Sequence, residues 1–249
     1  MDKIAKAFEN KKANIGYIVA GYPSLDYTKE FINSLDESAL DILELGIPYS
    51  DPLADGMVIF NASFETVKKG VDTDKVFDML KECKTNKCLC FLVYYNLIFA
   101  YGLGNFVKKA KECGISGLVV PDLPYEESEE LFNLCEKYSL SLIPLISVTS
   151  EHRLGKLLER SSGFIYAVGA IGVTGAEQTP ISRLQHMVRD IKASTDLPVA
   201  VGFGIRTNED VKLTKSYADG AIMGTSIVKK AENASVKELL NYIEELFRS

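Results

Sequence analysis

The chain is short of the residues that many catalytic chemistries need. Of its 249 residues only two are histidine, His152 and His186, and both fall in helical stretches far from one another, where surface or packing roles are expected. A zinc aldolase, or an isomerase with a histidine electrophile, then has nothing to work with. None of the eight candidate strands described below carries a lysine, which disfavours a Schiff-base aldolase. The five cysteines (Cys83, Cys88, Cys90, Cys113, Cys135) lack metal-ligand spacing. Cys88 and Cys90 share one strand face, and all five read as reduced, buried thiols of a cytoplasmic protein.

Other absences narrow the partners. The net charge of −6 and the scattered lysines exclude the concentrated basic face of a nucleic-acid binder. The amphipathic start, Met1 to Asn10, has no apolar signal-peptide core, so secretion is not expected. The uncharged run from Cys88 to Phe106 is interrupted by Asn96, Gly102, Gly104 and Asn105, and reads as a buried strand plus a loop rather than a membrane span. No linker or low-complexity tract divides the chain, so residues 1–249 are expected to form one domain.

What is present is a repeated unit. Apolar, β-branched runs recur at Ile15 to Ala20, Ile42 to Gly46, Cys88 to Tyr94, Gly117 to Val120, Leu142 to Leu145, Phe164 to Val168, Pro198 to Gly202 and Ala221 to Met223. Between them lie helical patterns at Asp72 to Glu82, Asn105 to Cys113, Glu126 to Tyr138, Glu151 to Ser161, Pro180 to Ala193 and Asn208 to Tyr217. The last helix is the clearest, with Val236, Leu239, Leu240, Ile243, Leu246 and Phe247 at helical spacing. Eight strands alternating with helices predict a single (β/α)8 TIM barrel, with an extra N-terminal helix and a short helix over Thr225 to Lys229. A doubly wound open sheet is the alternative, but no glycine-rich turn follows the first strand.

Along Asp41-Ile42-Leu43-Glu44-Leu45 the side chains alternate, so Glu44 shares a face with Ile42. Inside a barrel it would be a desolvated acid or base; on a surface strand it would merely face water. Glycines follow the seventh and eighth strands at Gly202, Gly204 and Gly224, with Phe203, Thr225 and Ser226 beside them. In barrels these two loops and a short helix commonly hold a phosphate. The residues left for chemistry are Glu44, Asp55, Asp122, Tyr94 and Tyr166. They permit general acid-base work but supply no electron sink, so carbon-carbon cleavage needs a substrate that brings its own.

The segments LELGIPYSDPLADG, VYYNLIFAYG, GLVVPDLPYEES, IYAVGAIGVTGAE, VGFGI and DGAIMGTSIV, in this order, resemble tryptophan synthase alpha chains from about Ile4 to the C-terminus. The resemblance implies a lyase that cleaves indole-3-glycerol phosphate by a retro-aldol step to indole and glyceraldehyde 3-phosphate. The indole ring, protonated at C3, would be the sink. By motif position, Glu44 is expected to move protons between the glycerol hydroxyl and indole C3, and Asp55 to accept the N1 hydrogen. Tyr17 and Tyr94 would line the indole pocket, Tyr166 would pack near Glu44, and Thr174 would meet Asp55 when the loop Gly172 to Gly175 closes. Phosphate would be held by Gly175, Gly202, Phe203, Gly204, Gly224 and Thr225. For Asp122 a structural or interface role is implied at least as much as a catalytic one.

The resemblance also implies a tryptophan synthase beta subunit as partner, in an alpha2beta2 complex. Pyridoxal phosphate is expected only in that subunit; the chain itself would need no cofactor and no metal. Family members commonly have Pro, Gln and Arg where this chain has Met57, Phe60 and Ala170, and Pro at Val148. Met57, Phe60 and Ala170 are expected on the second and sixth loops, so coupling to the partner is less determined than the chemistry. A free-standing lyase that releases indole, and a non-catalytic barrel that only activates its partner, are the competing readings.

Overall fold

In the computed structural model of this chain, the described residues are 2–150, 153–168, 180–202 and 204–248. Among them nine strands form one sheet: β1 (Ala13–Val19), β2 (Ile42–Gly46), β3 (Cys88–Leu92), β4 (Ile115–Val119), β5 (Ser141–Ile143), β6 (Leu145–Ser147), β7 (Ile165–Val168), β8 (Val199–Gly202) and β9 (Gly220–Met223). All the pairings are parallel, as strands joined by crossover helices must be. Their order is β5-β4-β3-β2-β1-β9-β8-β7-β6.

The two ends of that order, β5 and β6, are consecutive in the chain and separated only by Pro144. Residues 142–145 were expected as one strand. Proline has no N–H to give a ladder, yet the Pro144 carbonyl still accepts from the Tyr166 N–H at 3.0 Å. β5 pairs with β4, and β6 with β7. The split segment therefore bridges both neighbours, and the sheet is a (β/α)8 barrel with its fifth strand in two halves.

Period-two alternation sorts side chains into two cores. Ile15, Ile42, Cys90, Val119, Tyr166 and Ile222 belong to the cluster that fills the barrel, and Ile4 of the N-terminal helix Lys3–Phe8 joins it. Leu43, Leu45, Leu89 and Phe91 point the other way, onto Phe31, Phe77 and Phe106 of helices Leu25–Asn33, Thr73–Lys81 and Leu103–Glu112. Each such side chain contributes roughly 1.5–3 kcal/mol on full burial. Local signals fix several helix starts: Asp72 accepts from the Lys75 N–H, and Thr207 with Asp210 and Ser235 with Glu238 form capping boxes,.

The final helix, Val236–Phe247, lies where its periodicity placed it. Differences from expectation concentrate near the carboxyl ends of the strands. Met57 and Phe60 stand on a helix, Met57–Lys68, not on a loop. The run 88–106 is a strand followed by helix Tyr95–Tyr101 and the start of helix Leu103–Glu112. Among the described residues no helix is long and apolar enough to cross a membrane.

Candidate active site

Glu44 stands on the inner face of β2, in register with Tyr17 of β1 and Cys90 of β3. It is 0 % exposed. Neither carboxylate oxygen has a hydrogen-bond partner among the described residues. A charge left without partners in such a place is strongly disfavoured, and burial alone pushes the Glu44 carboxyl up to about 8,.

Asp55 comes from the segment after β2. A turn closed by the Asp55 N–H on the Pro52 carbonyl, at 3.0 Å, presents it just before helix Met57–Lys68. The Tyr94 hydroxyl donates to Asp55 Oδ2 at 3.1 Å and accepts the Ala54 N–H at 3.0 Å. Burial raises the Asp55 carboxyl to about 6, and the Tyr94 hydrogen bond opposes part of that rise. Tyr17 and Tyr166 are held well above the usual phenol range, first by burial; for Tyr17 the Asp55 charge comes next, for Tyr166 the Glu44 charge.

Glu44 and Asp55 line one chamber with Tyr17, Tyr166, Gly204, Gly224 and Thr225. Its remaining walls are Ile59, Leu92, Ile205 and Ile222, so two carboxyl groups share one chamber with four aliphatic side chains at the carboxyl ends of the strands. Tyr94 takes part through its hydroxyl on Asp55. Glycine is needed beneath both ring systems: a side chain at Gly46 would meet the Tyr17 hydroxyl at 2.1 Å, and one at Gly202 would meet the Tyr166 hydroxyl at 2.4 Å. That contact, rather than turn geometry, accounts for glycine at 202. Gly224 precedes the short helix Thr225–Ala231. Thr174, Gly175, Phe203, Ala170 and His152 lie outside the described residues.

Several wall residues escaped the sequence reading. Leu92 and Ile222 were each legible from period-two counting along their strands; Ile59 and Ile205 were not. Asp122 is not in the chamber; its Oδ1 accepts the Tyr95 N–H at 2.8 Å. His186 sits exposed on helix Ile181–Lys192 beside Arg189. A larger cavity is lined by Tyr125, Glu126, Arg153 and Arg160. Its charges are already balanced, Arg153 on Glu126 and Arg160 on Glu129, so it offers no reactive group.

A closed parallel barrel with a chamber at the carboxyl ends of its strands defines the class, a (β/α)8-barrel enzyme. Comparison with known proteins narrows it. The profile of the family "Tryptophan synthase alpha chain" matches residues 4–247. The tryptophan synthase alpha chain of Campylobacter jejuni subsp. doylei is 48% identical over 244 residues, 98% of either chain. That of Alkaliphilus metalliredigens is 39% identical over 246 residues, 96% of this chain and 92% of its own. The solved tryptophan synthase subunit alpha from Campylobacter jejuni superposes with a TM-score of 0.90 at 47% identity, covering 98% of each chain. This chain belongs to the tryptophan synthase alpha chain family, and it is a lyase.

Proposed function

We propose that this chain cleaves indole-3-glycerol phosphate to indole and glyceraldehyde 3-phosphate, with Glu44 and Asp55 as its two catalytic groups. One observation carries the reading: two carboxyl groups, raised by burial to about 8 and about 6, line the same chamber. Near neutral pH the first holds its proton and the second is ionised, the division of labour that acid-base catalysis uses.

Glu44 delivers its proton to indole C3. The ring becomes an indoleninium cation, whose N1–H Asp55 accepts and whose positive charge Asp55 offsets; low dielectric strengthens that effect. The bond between C3 and the glycerol carbon then breaks, its electron pair returning to the ring. As the carbonyl of glyceraldehyde 3-phosphate forms, the hydroxyl proton passes to Glu44 and restores it. Tyr17, Tyr94, Tyr166 and Thr174 bind the indole end, and Tyr166 holds Glu44 in place. Gly175, Gly202, Phe203, Gly204, Gly224 and Thr225 hold the phosphate, where glycine backbone N–H groups approach oxygen closely.

Residues 1–249 act as one barrel domain in the cytoplasm, in an alpha2beta2 complex. Indole passes to the beta subunit, which carries pyridoxal phosphate and joins indole to serine; the alpha chain works without a cofactor or a metal.

The test is Glu44→Gln. Steady-state indole formation, alone and with the beta subunit, should fall by roughly three orders of magnitude, while affinity for a glycerol-phosphate ligand changes little. Near-native turnover would overturn the acid-base assignment. Wild-type rates that are equal with and without the beta subunit would point to a free-standing lyase.

A further inference from the structure

We propose that Asp122 is a positioning residue for Asp55, acting through the amino end of helix Tyr95–Tyr101. The inference rests on the role given to Asp55 above. This short helix has no cap of its own, because the Tyr94 side chain before it makes no capping bond. Helix starts leave N–H groups that need an acceptor. Here the acceptor comes from 27 residues away, as Asp122 Oδ1 takes the Tyr95 N–H at 2.8 Å. A carboxylate also suits the positive end of the helix dipole.

From this pinned end the segment bearing Asp55 is held. The Tyr94 hydroxyl bridges the Ala54 N–H and Asp55 Oδ2. Its ring stacks on Tyr49 with centroids 5.3 Å apart and planes at 30°, and the Asn96 amide donates to the Tyr49 hydroxyl at 3.3 Å. Tyr49 is in turn tied to helix Met57–Lys68, its N–H and carbonyl both bonded to the Ser63 hydroxyl at 2.8 Å. A shift of Tyr94 therefore moves Asp55 with it.

Asp122 is exposed, but its backbone is anchored on both sides. The Leu123 N–H donates to the carbonyl of buried Val120 at 3.3 Å. Downstream, Arg160 donates to the Tyr125 carbonyl at 3.0 Å and covers the Tyr125 ring, while the Tyr125 hydroxyl donates to Glu159 at 2.6 Å. The carboxylate thus links a fixed loop to a helix that lacks its own cap.

Asparagine separates this role from one that depends on charge, since it keeps the acceptor oxygen and loses the negative charge. Indole formation from indole-3-glycerol phosphate should be measured for D122A, D122N, Y94F and Y94F/D122A, with the chain alone and with the beta subunit. D122A should lower kcat about tenfold, consistent with the sensitivity of catalysis to ångström-scale misplacement, with KM changing less than twofold. Its acid limb in kcat/KM should move to higher pH, because a loosened Tyr94 no longer steadies the Asp55 carboxylate. D122N should keep at least half of wild-type kcat, and D122A should cost less than twofold in the Y94F background. D122S is a second truncation should D122A not fold. Wild-type behaviour of the truncations, equal impairment of D122N and D122A, or a full D122A effect without the Tyr94 hydroxyl would each overturn the inference. If D55N is impaired while the truncations are not, this inference alone falls; if D55N turns over normally, the reading of Asp55 falls and this inference with it.

Discussion

The two ends of strand β2 treat an acid in opposite ways. Asp41, just before the strand, is 8% exposed, and Glu44, three residues on, is 0% exposed. Asp41 accepts the Asn14 N–H at 2.9 Å and pairs with Lys11. Asp219 repeats the arrangement before β9, accepting the Val199 N–H at 2.9 Å and pairing with Lys192 at 2.5 Å. At the other end, neither Glu44 nor Asp55 has a cation in salt-bridge contact among the described residues. Burial is thus nearly equal along β2, and partnership is what differs. Asp41 and Asp219, at the amino ends of their strands, are satisfied and stabilise the barrel; Glu44 and Asp55, toward the carboxyl ends, lack a cation and line the chamber, the division expected of this fold,.

The strongest way to break the comparison is at the reactive end. Asp55→Asn keeps an acceptor beside the Tyr94 hydroxyl but removes the charge that would face the indoleninium cation. Indole formation should fall about 100- to 1,000-fold, the range seen when one preorganised electrostatic group is removed, with ligand affinity within a few-fold of wild type. A loss in KM alone would mean that Asp55 only binds. The same pair sets the pH profile. For the free chain kcat/KM should rise as Asp55 ionises near 6 and fall as Glu44 loses its proton near 8,. A rate that keeps climbing through 8 would show Glu44 starting as an ionised base.

How far the sequence anticipated these two ends depends on the range of the interaction. The inward face of β2 was legible because Ile42 and Glu44 alternate with Leu43 and Leu45, and its limits coincide with the expected ones. The break at Pro144 was visible in the residue itself but hidden inside an apolar run. Helix Met57–Lys68 was missed because Gly56 before it makes no side-chain cap, and its buried positions include the polar Ser63 and Thr66. The Asp122 contact and the Tyr94 bridge join segments 27 and 39 residues apart, and no local pattern encodes them. The direction of the Glu44 shift followed from its apolar neighbours; its lack of hydrogen-bond partners did not.

A smaller effect sharpens the comparison through stability. Burial raises Glu44 from 4.5 to about 8. Across that interval the folded chain holds a proton that the unfolded chain has released. Stability from this group is therefore complete below about 4.5, declines as pH rises, and reaches its floor above about 8. Gln at 44 does not titrate, so denaturant melts at pH 5 and pH 9 should show the variant gaining on its parent. The relative gain should be on the order of 2 kcal/mol, less than the full linkage of about 1.4 kcal/mol per unit because water reaches a buried carboxylate once it ionises. No change in that difference with pH would mean that Glu44 finds partners when charged.

The smallest effects belong to the satisfied end, where the comparison predicts a change in stability without a change in rate. Asp41→Ala leaves the Asn14 N–H and Lys11 without their acceptor, and Asp219→Ala does the same to the Val199 N–H and Lys192. Both lysines are partly exposed, so water screens the lost ion pairs and little of the cost lies there. The unpaired strand N–H groups carry the larger share, and each variant should lose about 1–2 kcal/mol in a denaturant melt. Asparagine at either position can still accept the N–H and should recover most of that loss, which assigns the stabilisation to the hydrogen bond rather than to the charge. At temperatures where the variants stay folded, kcat and the pH limbs near 6 and 8 should match wild type. A displaced pH limb in Asp41→Ala would mean that the amino end of β2 communicates with Glu44 along the strand, and that the two ends are not independent.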